Sequence, residues 1–367
     1  MTAAPQAGRI PQIDALTGLR GLAAWLVVFY HMRISLEDLL PASAITALGG
    51  GYLAVDLFFM LSGFVMWLNY ADRLRRNGMA ELPHFWWKRF ARIWPLHAAI
   101  LCALVAFALL LWATGRDTSM YPFAELPLHF LLVQDWGLTS ELSWNHPAWS
   151  ISAEVGAYLL FPFFVLAVRW EKLSNAMLIV AILLFAILLH LIFAMAGESS
   201  LGGAITRLGL WRCLTEFLIG TMLCNLWLRW RGGHSAAAFC LLAGAGLMAG
   251  GVIARLSETA FLPLAFAALL LALALDQGPI ARALASRPLR WLGDVSYATY
   301  LAHVPLLTFF KLLFVGDDLQ IGWAGAVLYI AMLLALSALL YRLLEKPAQR
   351  WVNAHAPRIA AMPRAQA

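Results

Sequence analysis

Two ionisable side chains interrupt an apolar stretch near the start of the chain, IDALTGLRGLAAWLVVFYHM, from Ile13 to Met32. Arg20 and His31 are eleven residues apart. On a helix, at about 100° per residue, the second returns to within roughly 20° of the first and lies about 16 Å further along the axis. An imidazole titrates near neutral pH and acts as a general base when a carboxylate fixes its tautomer. Asp56 and Glu154, in later apolar stretches, are the candidates for that partner. The bland alternative is a histidine satisfied by a backbone carbonyl or interfacial water. Arg20 reads as a contact to a polar, extended ligand, against snorkelling or a salt bridge. Lys88, Arg89 and Arg92 form a basic run. Its two arginines are three apart, share a helix face and suit bidentate phosphate binding. Such a run also satisfies membrane topology without any ligand.

The elements that position these groups follow from composition. The chain has 367 residues, 62% hydrophobic and 13% charged. A soluble domain carries about 25% charge, so the expected fold is all-α, a polytopic membrane bundle. Ten spans are predicted, near 13–33, 50–70, 93–114, 147–168, 176–196, 209–228, 235–254, 259–276, 290–314 and 322–344. About 19 of the 26 Lys and Arg fall on one side and about 4 on the other, so the positive-inside rule places both termini in the cytoplasm. The net charge of +6 is then a topology signal rather than one for nucleic acid. The predicted organisation is a short tail (1–12) without the features of a cleaved signal peptide, a transmembrane domain (13–345) and a C-terminal tail (346–367). Cys102, Cys213, Cys224 and Cys240 are irregularly spaced and imply neither a disulfide framework nor a metal site. The 115–146 loop, rich in Pro and Trp, is expected to form an ordered outer cap. Pro95 is expected to kink or restart its helix, and Ser62–Gly63 to allow close helix contact. Asp294 and Glu345 read as ion-pair or capping residues.

Direction assigns depth. The first span runs outward, so Arg20 lies in the inner half and His31 near the outer surface. Asp56, Trp149, Ser150, Ser152, Glu154 and Glu216 fall in the outer half. In the ninth span Ser296 and Tyr297 lie in the inner half and His303 beyond the middle. The expected arrangement is a polar channel with a cationic inner mouth and an acid/base cluster outside.

Several blocks resemble the acyltransferase-3 membrane family. The Arg, ten residues, then His of the first span looks like its signature. GYLAVDLFFMLSGF, KRFARIWPLH, PAWSISAEVGAYLLFP, LGDVSYATYLAHVP and LEKP are similar to its other blocks in order and spacing. Lys88 stands where Arg is usual and His97 where Tyr is common. The resemblance runs from Ile13 to about Pro347. It implies a bacterial inner-membrane enzyme that moves an acyl group, usually acetyl, from cytoplasmic acyl-CoA to a hydroxyl. Acceptors in the family are often sugars of surface or exported polysaccharides, and for some members macrolides. His31 carries over as the catalytic histidine and Arg20 as its motif partner. Arg89 and Arg92, with Lys88 beside them, carry over as CoA-side contacts and Glu154 as a functional carboxylate. Some relatives add a soluble esterase-like domain. This sequence shows none, so any tailoring partner is expected to be separate.

On this reading the phosphates of acetyl-CoA lie at Arg89 and Arg92, the pantetheine passes Arg20, and the thioester ends near His31. His31 deprotonates the acceptor hydroxyl while Asp56 or Glu154 orients it. A transient acetyl-histidine is a second route. Ser150, Ser152 or Tyr297 donates to the oxyanion or positions a glycan acceptor, Trp149 stacks on a sugar face, and His303 joins the acceptor side. No metal is expected. The competing class is a proton-coupled transporter or flippase, against which no inverted repeat is found.

Overall fold

Glycines decide which helices touch. In the computed structural model, which describes residues 13–231, 234–315 and 320–356, the first long helix, α1 (Asp14–Met32), lies against α9 (Arg287–Phe314). A Cβ on Gly21 would overlap the backbone of Leu292 and Gly293, one on Gly293 the Thr17 carbonyl, and one on Gly18 the Leu284 carbonyl at the end of the short helix Pro279–Leu284 that precedes α9. Missing side chains thus let two backbones meet, as expected where apolar burial alone does not drive helices together. Arg20 pairs with Gly293 and His31 with His303, so the two helices run in the same direction.

Eight other long helices complete the bundle: α2 (Ala54–Asn77), α3 (Leu82–Ala113), α4 (Ala148–Ala167), α5 (Asn175–Met195), α6 (Ile205–Trp230), α7 (His234–Ile253), α8 (Glu258–Leu275) and α10 (Trp323–Leu339). Among the described residues there is no strand. Eight stretches of the described residues have the length and hydropathy of a span, one of which contains both α2 and α3. α6 is less apolar because Arg212 and Glu216 sit within it. Both are buried, and α6 packs along α2 and α4. Gly63 and Gly220 make the α2–α6 approach, each against the other helix's backbone. Outward-facing Leu184, Ile187, Leu191 and Met195 of α5 present an apolar surface suited to lipid.

α3 neither stops nor restarts at Pro95. It runs unbroken for 32 residues, carrying Lys88, Arg89 and Arg92 within one helix. Proline removes one N–H and one intrahelical bond, a loss the packed bundle absorbs. The 115–146 segment is an ordered cap: Tyr121, Leu132 and Trp144 are buried, and Trp144 meets Tyr121 and Phe123 at 5.6 and 5.4 Å.

Polar contacts separate the two ends of the bundle. One end holds the ion pairs Arg73–Glu81 (2.6 Å), Arg75–Glu171 (2.7 Å), Arg290–Asp14 (2.9 Å) and Arg92–Glu345. Glu345 reaches Arg92 from a π-helical turn, Leu340–Glu345, and the helix Lys346–Ala354 continues over α3, where Trp87 donates to the Val352 carbonyl at 2.9 Å. Both ends of the described chain therefore lie at this basic end. At the other end the Ile321 N–H meets the Ser35 carbonyl at 2.8 Å and Glu258 accepts from Tyr52 and Ser200. The tails 1–12 and 357–367, with Arg358 and Arg364, lie outside the described residues.

Candidate active site

His31 is oriented by backbone and by a second histidine. Its Nδ1 lies 2.9 Å from the Val27 carbonyl and 3.2 Å from His303 Nε2, while His303 Nδ1 lies 2.6 Å from the Tyr300 carbonyl. A carbonyl only accepts, so each Nδ1 carries the hydrogen. His303 Nε2 is then a lone pair that shares the His31 Nδ1–H. His31 Nε2 is left unprotonated, on a ring that lines an outer cavity of about 320 Å³. Protonation there creates an imidazolium whose Nδ1–H bonds to Val27 and His303 strengthen. His146 approaches from the cap, 5.8 Å from His31 between ring centroids. Burial lowers the affinity of this loop imidazole for a proton.

The expected carboxylate partner is not there. Asp56 is fully buried and bidentate with Arg212 of α6, at 2.7 Å to Nε and 2.6 Å to Nη2, and Arg212 Nη1 donates to the Leu201 carbonyl at 2.8 Å. Glu154 accepts from Tyr158 and lines a different cavity. Neither touches His31. The sequence showed Asp56 at the right depth, but its partner sits in another helix. The signal available was Arg212, a cation inside a span, which requires a buried anion.

A second, inner cavity of about 190 Å³ is lined by Arg20, Arg89, Arg92, Glu154, Tyr158 and Tyr297 among others. Arg20 donates to the Gly293 carbonyl through Nε at 3.2 Å and Nη2 at 2.7 Å. Arg89 donates to Tyr70 at 2.8 Å, and its buried Nε has no partner among the described residues. Arg92 is engaged by Glu345. Tyr297 donates to the Ile93 carbonyl at 2.7 Å. Three cations against Glu154 and Glu345 leave this cavity a net positive lining.

The remaining expected residues divide. Trp149 lines the outer cavity with Tyr30, Tyr52, His146 and Arg212, and Ser150 lines the inner one. Lys88 lines neither. Ser152 is buried and accepts the Asp135 N–H at 3.1 Å, which ties the cap to α4 and removes it from either cavity. His303 is fully buried behind His31, so it supports that ring rather than facing a substrate. Tyr300 was not singled out from the sequence, yet it lines both cavities. Its spacing from Tyr297 and His303, three residues each way on α9, is the signal that places all three near one face. Among the described residues no group of three or more His, Cys, Asp and Glu is arranged to hold a metal ion.

Comparison with known proteins adds to this geometry. A family described as an acyltransferase domain matches residues 13–342. The chain is 29% identical over 381 residues to the acyltransferase MdmB of Streptomyces mycarofaciens, covering 95% of each. It is 25% identical to the peptidoglycan O-acetyltransferase OatA of Listeria monocytogenes, covering 93% of this chain and 56% of that protein. It is 22% identical to the O-acetyltransferase OatA of Staphylococcus aureus, covering 92% and 57%. The chain thus spans a little over half the length of these two. No solved structure matches it.

Proposed function

The chain belongs to the acyltransferase-domain family, as a multi-pass membrane O-acyltransferase, and from that premise we propose that it moves an acetyl group from cytoplasmic acetyl-CoA to a hydroxyl of a cell-surface or exported glycan. The unit that does so is 13–345, set in a bacterial inner membrane with its basic end in the cytoplasm. The observation that carries the reading is the pairing of two cavities: a net-positive one opening among Arg89, Arg92 and Arg20, and beyond it one that holds an unprotonated edge of His31.

The inner cavity is of a size for the acyl end of the donor and its adjoining arm, with the nucleotide at the basic mouth. Arg89, whose Nε is unpartnered, is the phosphate contact. Glu345 already neutralises Arg92, which instead positions Tyr297, 5.2 Å below its guanidinium. The acceptor hydroxyl enters the outer cavity, where Tyr30, Tyr52 and Trp149 supply aromatic faces of the kind that stack on sugar rings. His31 Nε2 takes the hydroxyl proton as the oxygen bonds to the thioester carbonyl carbon and the carbonyl pair moves onto its oxygen. When this adduct collapses, the C–S bond breaks. The thiolate takes the proton back from His31, which returns the neutral base and free CoA. The likeness to two O-acetyltransferases, one of them acting on peptidoglycan, supports a glycan acceptor.

Bacterial membranes carrying this chain, supplied with radiolabelled acetyl-CoA, test the reading. Alkali-labile label is expected in the glycan fraction and is abolished by His31→Ala at equal protein level. Alkali-labile label in a low-mass product would replace the glycan by a small-molecule acceptor. Label taken up but left unattached would replace transfer by transport.

A further inference from the structure

The inner and outer cavities share one lining side chain at their junction, Tyr300 of α9. It is held at both ends. Its carbonyl accepts from His303 Nδ1 at 2.6 Å, which ties its backbone to the pair that orients His31. Its phenol oxygen lies 2.8 Å from Ser150 Oγ, and Ser150 Oγ donates to the Pro147 carbonyl at 3.1 Å. Since the serine hydrogen is spent on Pro147, the Tyr300 O–H is the donor in the bond between them. Phe58 backs the ring edge-on at 5.8 Å. The side chain is 6% exposed. It is therefore a positioned hydroxyl donor in a water-poor wall, where a donor is worth most to a developing negative charge.

The other two hydroxyls expected from the sequence do not offer this. The Tyr297 hydrogen is committed to the Ile93 carbonyl on the inner side, and Ser152 accepts from the cap and lines neither cavity. A thioester that enters from the inner cavity and an acceptor that enters from the outer one meet where only Tyr300 belongs to both walls. We infer that Tyr300 partitions the donor and acceptor cavities and donates its phenol hydrogen bond to the thioester oxygen as acyl transfer proceeds. Turning the O–H about its C–O bond moves the donation from Ser150 to the oxyanion, and no proton changes owner. The proton balance remains that of His31, which takes it from the acceptor hydroxyl and returns it to the thiolate. The inference rests on the acyl-CoA reading above and adds to it a catalytic contact and the wall that sets how much acyl chain can pass.

The test uses the full chain in native membranes with radiolabelled acetyl-CoA and the membranes' own acceptors, wild type beside three variants. Tyr300→Phe keeps the wall and loses the donor, so turnover falls about 100-fold while the KM for acetyl-CoA stays within about threefold. Ser150→Ala breaks the same hydrogen bond but keeps the phenol, so its turnover stays at least about tenfold above that of Tyr300→Phe. Tyr300→Ala also opens the wall, so the ratio of butyryl-CoA to acetyl-CoA use rises relative to wild type. Tyr300→Phe with turnover within about threefold of wild type overturns the donor role. Equal losses in Tyr300→Phe and Ser150→Ala assign the effect to packing and overturn it too, and an unchanged acyl preference in Tyr300→Ala overturns the partition. A wild type that does not use acetyl-CoA overturns the underlying reading as well, and that result is read without any Tyr300 variant.

Discussion

Asp56 and Asp135 show that depth alone does not assign a carboxylate its role. Both lie near the outer end, and Asp56 spends its two oxygens on Arg212. Asp135, in the cap, is 1% exposed, and both its oxygens lack a partner among the described residues. Burial pushes this loop carboxyl up to about 9, with Arg212 acting against the shift. The sign of the consequence follows. The folded chain holds a proton on Asp135 that the unfolded chain releases near the ordinary carboxyl value, so the fold loses stability as pH rises toward about 9. Asp135→Asn removes that dependence. Thermal unfolding of the detergent-solubilised protein, followed at about pH 7 and about pH 8.5, should show a midpoint that falls with pH in wild type. In the variant it should fall less, and it should stand higher at the upper pH. An identical slope in both would remove Asp135 as the source. The pH window lies above the range where His129, lowered to about 4 by burial, changes charge. Such a residue cannot be read from spacing, because its environment is made by Trp149 and Gly209 on other helices. The one-face relation of Arg20 and His31 could be read, since it is a property of a single helix.

The same distinction holds for elements. Eleven residues of helical pitch put Arg20 and His31 on one face, and that face meets α9, where Gly293 and His303 are ten apart and receive them in turn. Among the described residues the ten expected spans recur as ten long helices with ends shifted by a few residues. The larger shift is α3, where Pro95 suggested a boundary that packing overrides. What the sequence did not carry was which helices are neighbours, and hence that the partner of His31 is His303 rather than Asp56 or Glu154. That neighbour relation depends on Gly21. A valine there places its Cβ into the backbone of Leu292 and Gly293. Overpacking of this kind costs about 1–3 kcal/mol and shifts backbone as well as side chains. Gly21→Val should therefore lower the unfolding midpoint and cut acetyl transfer at least about tenfold, because Arg20 loses Gly293 and His31 loses His303. Gly50→Ala, where an added Cβ meets nothing within 4 Å, is the control. A Gly21→Val protein as active and as stable as the control would show that the close approach does not position the pair.

At the scale of the whole molecule, two cavities stacked along one bundle give the proposed reaction a direction. Arg73, Arg75, Arg92 and Arg290 all make their ion pairs at one end, and the inner cavity includes Arg89 and Arg92. His31 lies about 16 Å from Arg20 along α1 by helical rise, in the cavity shared with outer-end Tyr52 and Ser200. On the proposed reading, a donor bound at the basic end is consumed without crossing the membrane, since only its acyl group needs to pass Tyr300. Acetyl-CoA is large and anionic and does not permeate a bilayer, so vesicle orientation separates the two ends. Inside-out vesicles expose the basic end and should transfer label from external acetyl-CoA. Right-side-out vesicles of the same protein content should transfer little until acetyl-CoA is loaded within. The product then decides where chemistry occurs. If acyl transfer takes place beyond the partition, the ester in inside-out vesicles forms on the lumenal side, and an impermeant esterase added outside leaves it intact until detergent is added. Equal transfer from both faces would remove the directional arrangement. An ester cleaved by external esterase without detergent would place the acceptor at the basic end and overturn the assignment of the outer cavity.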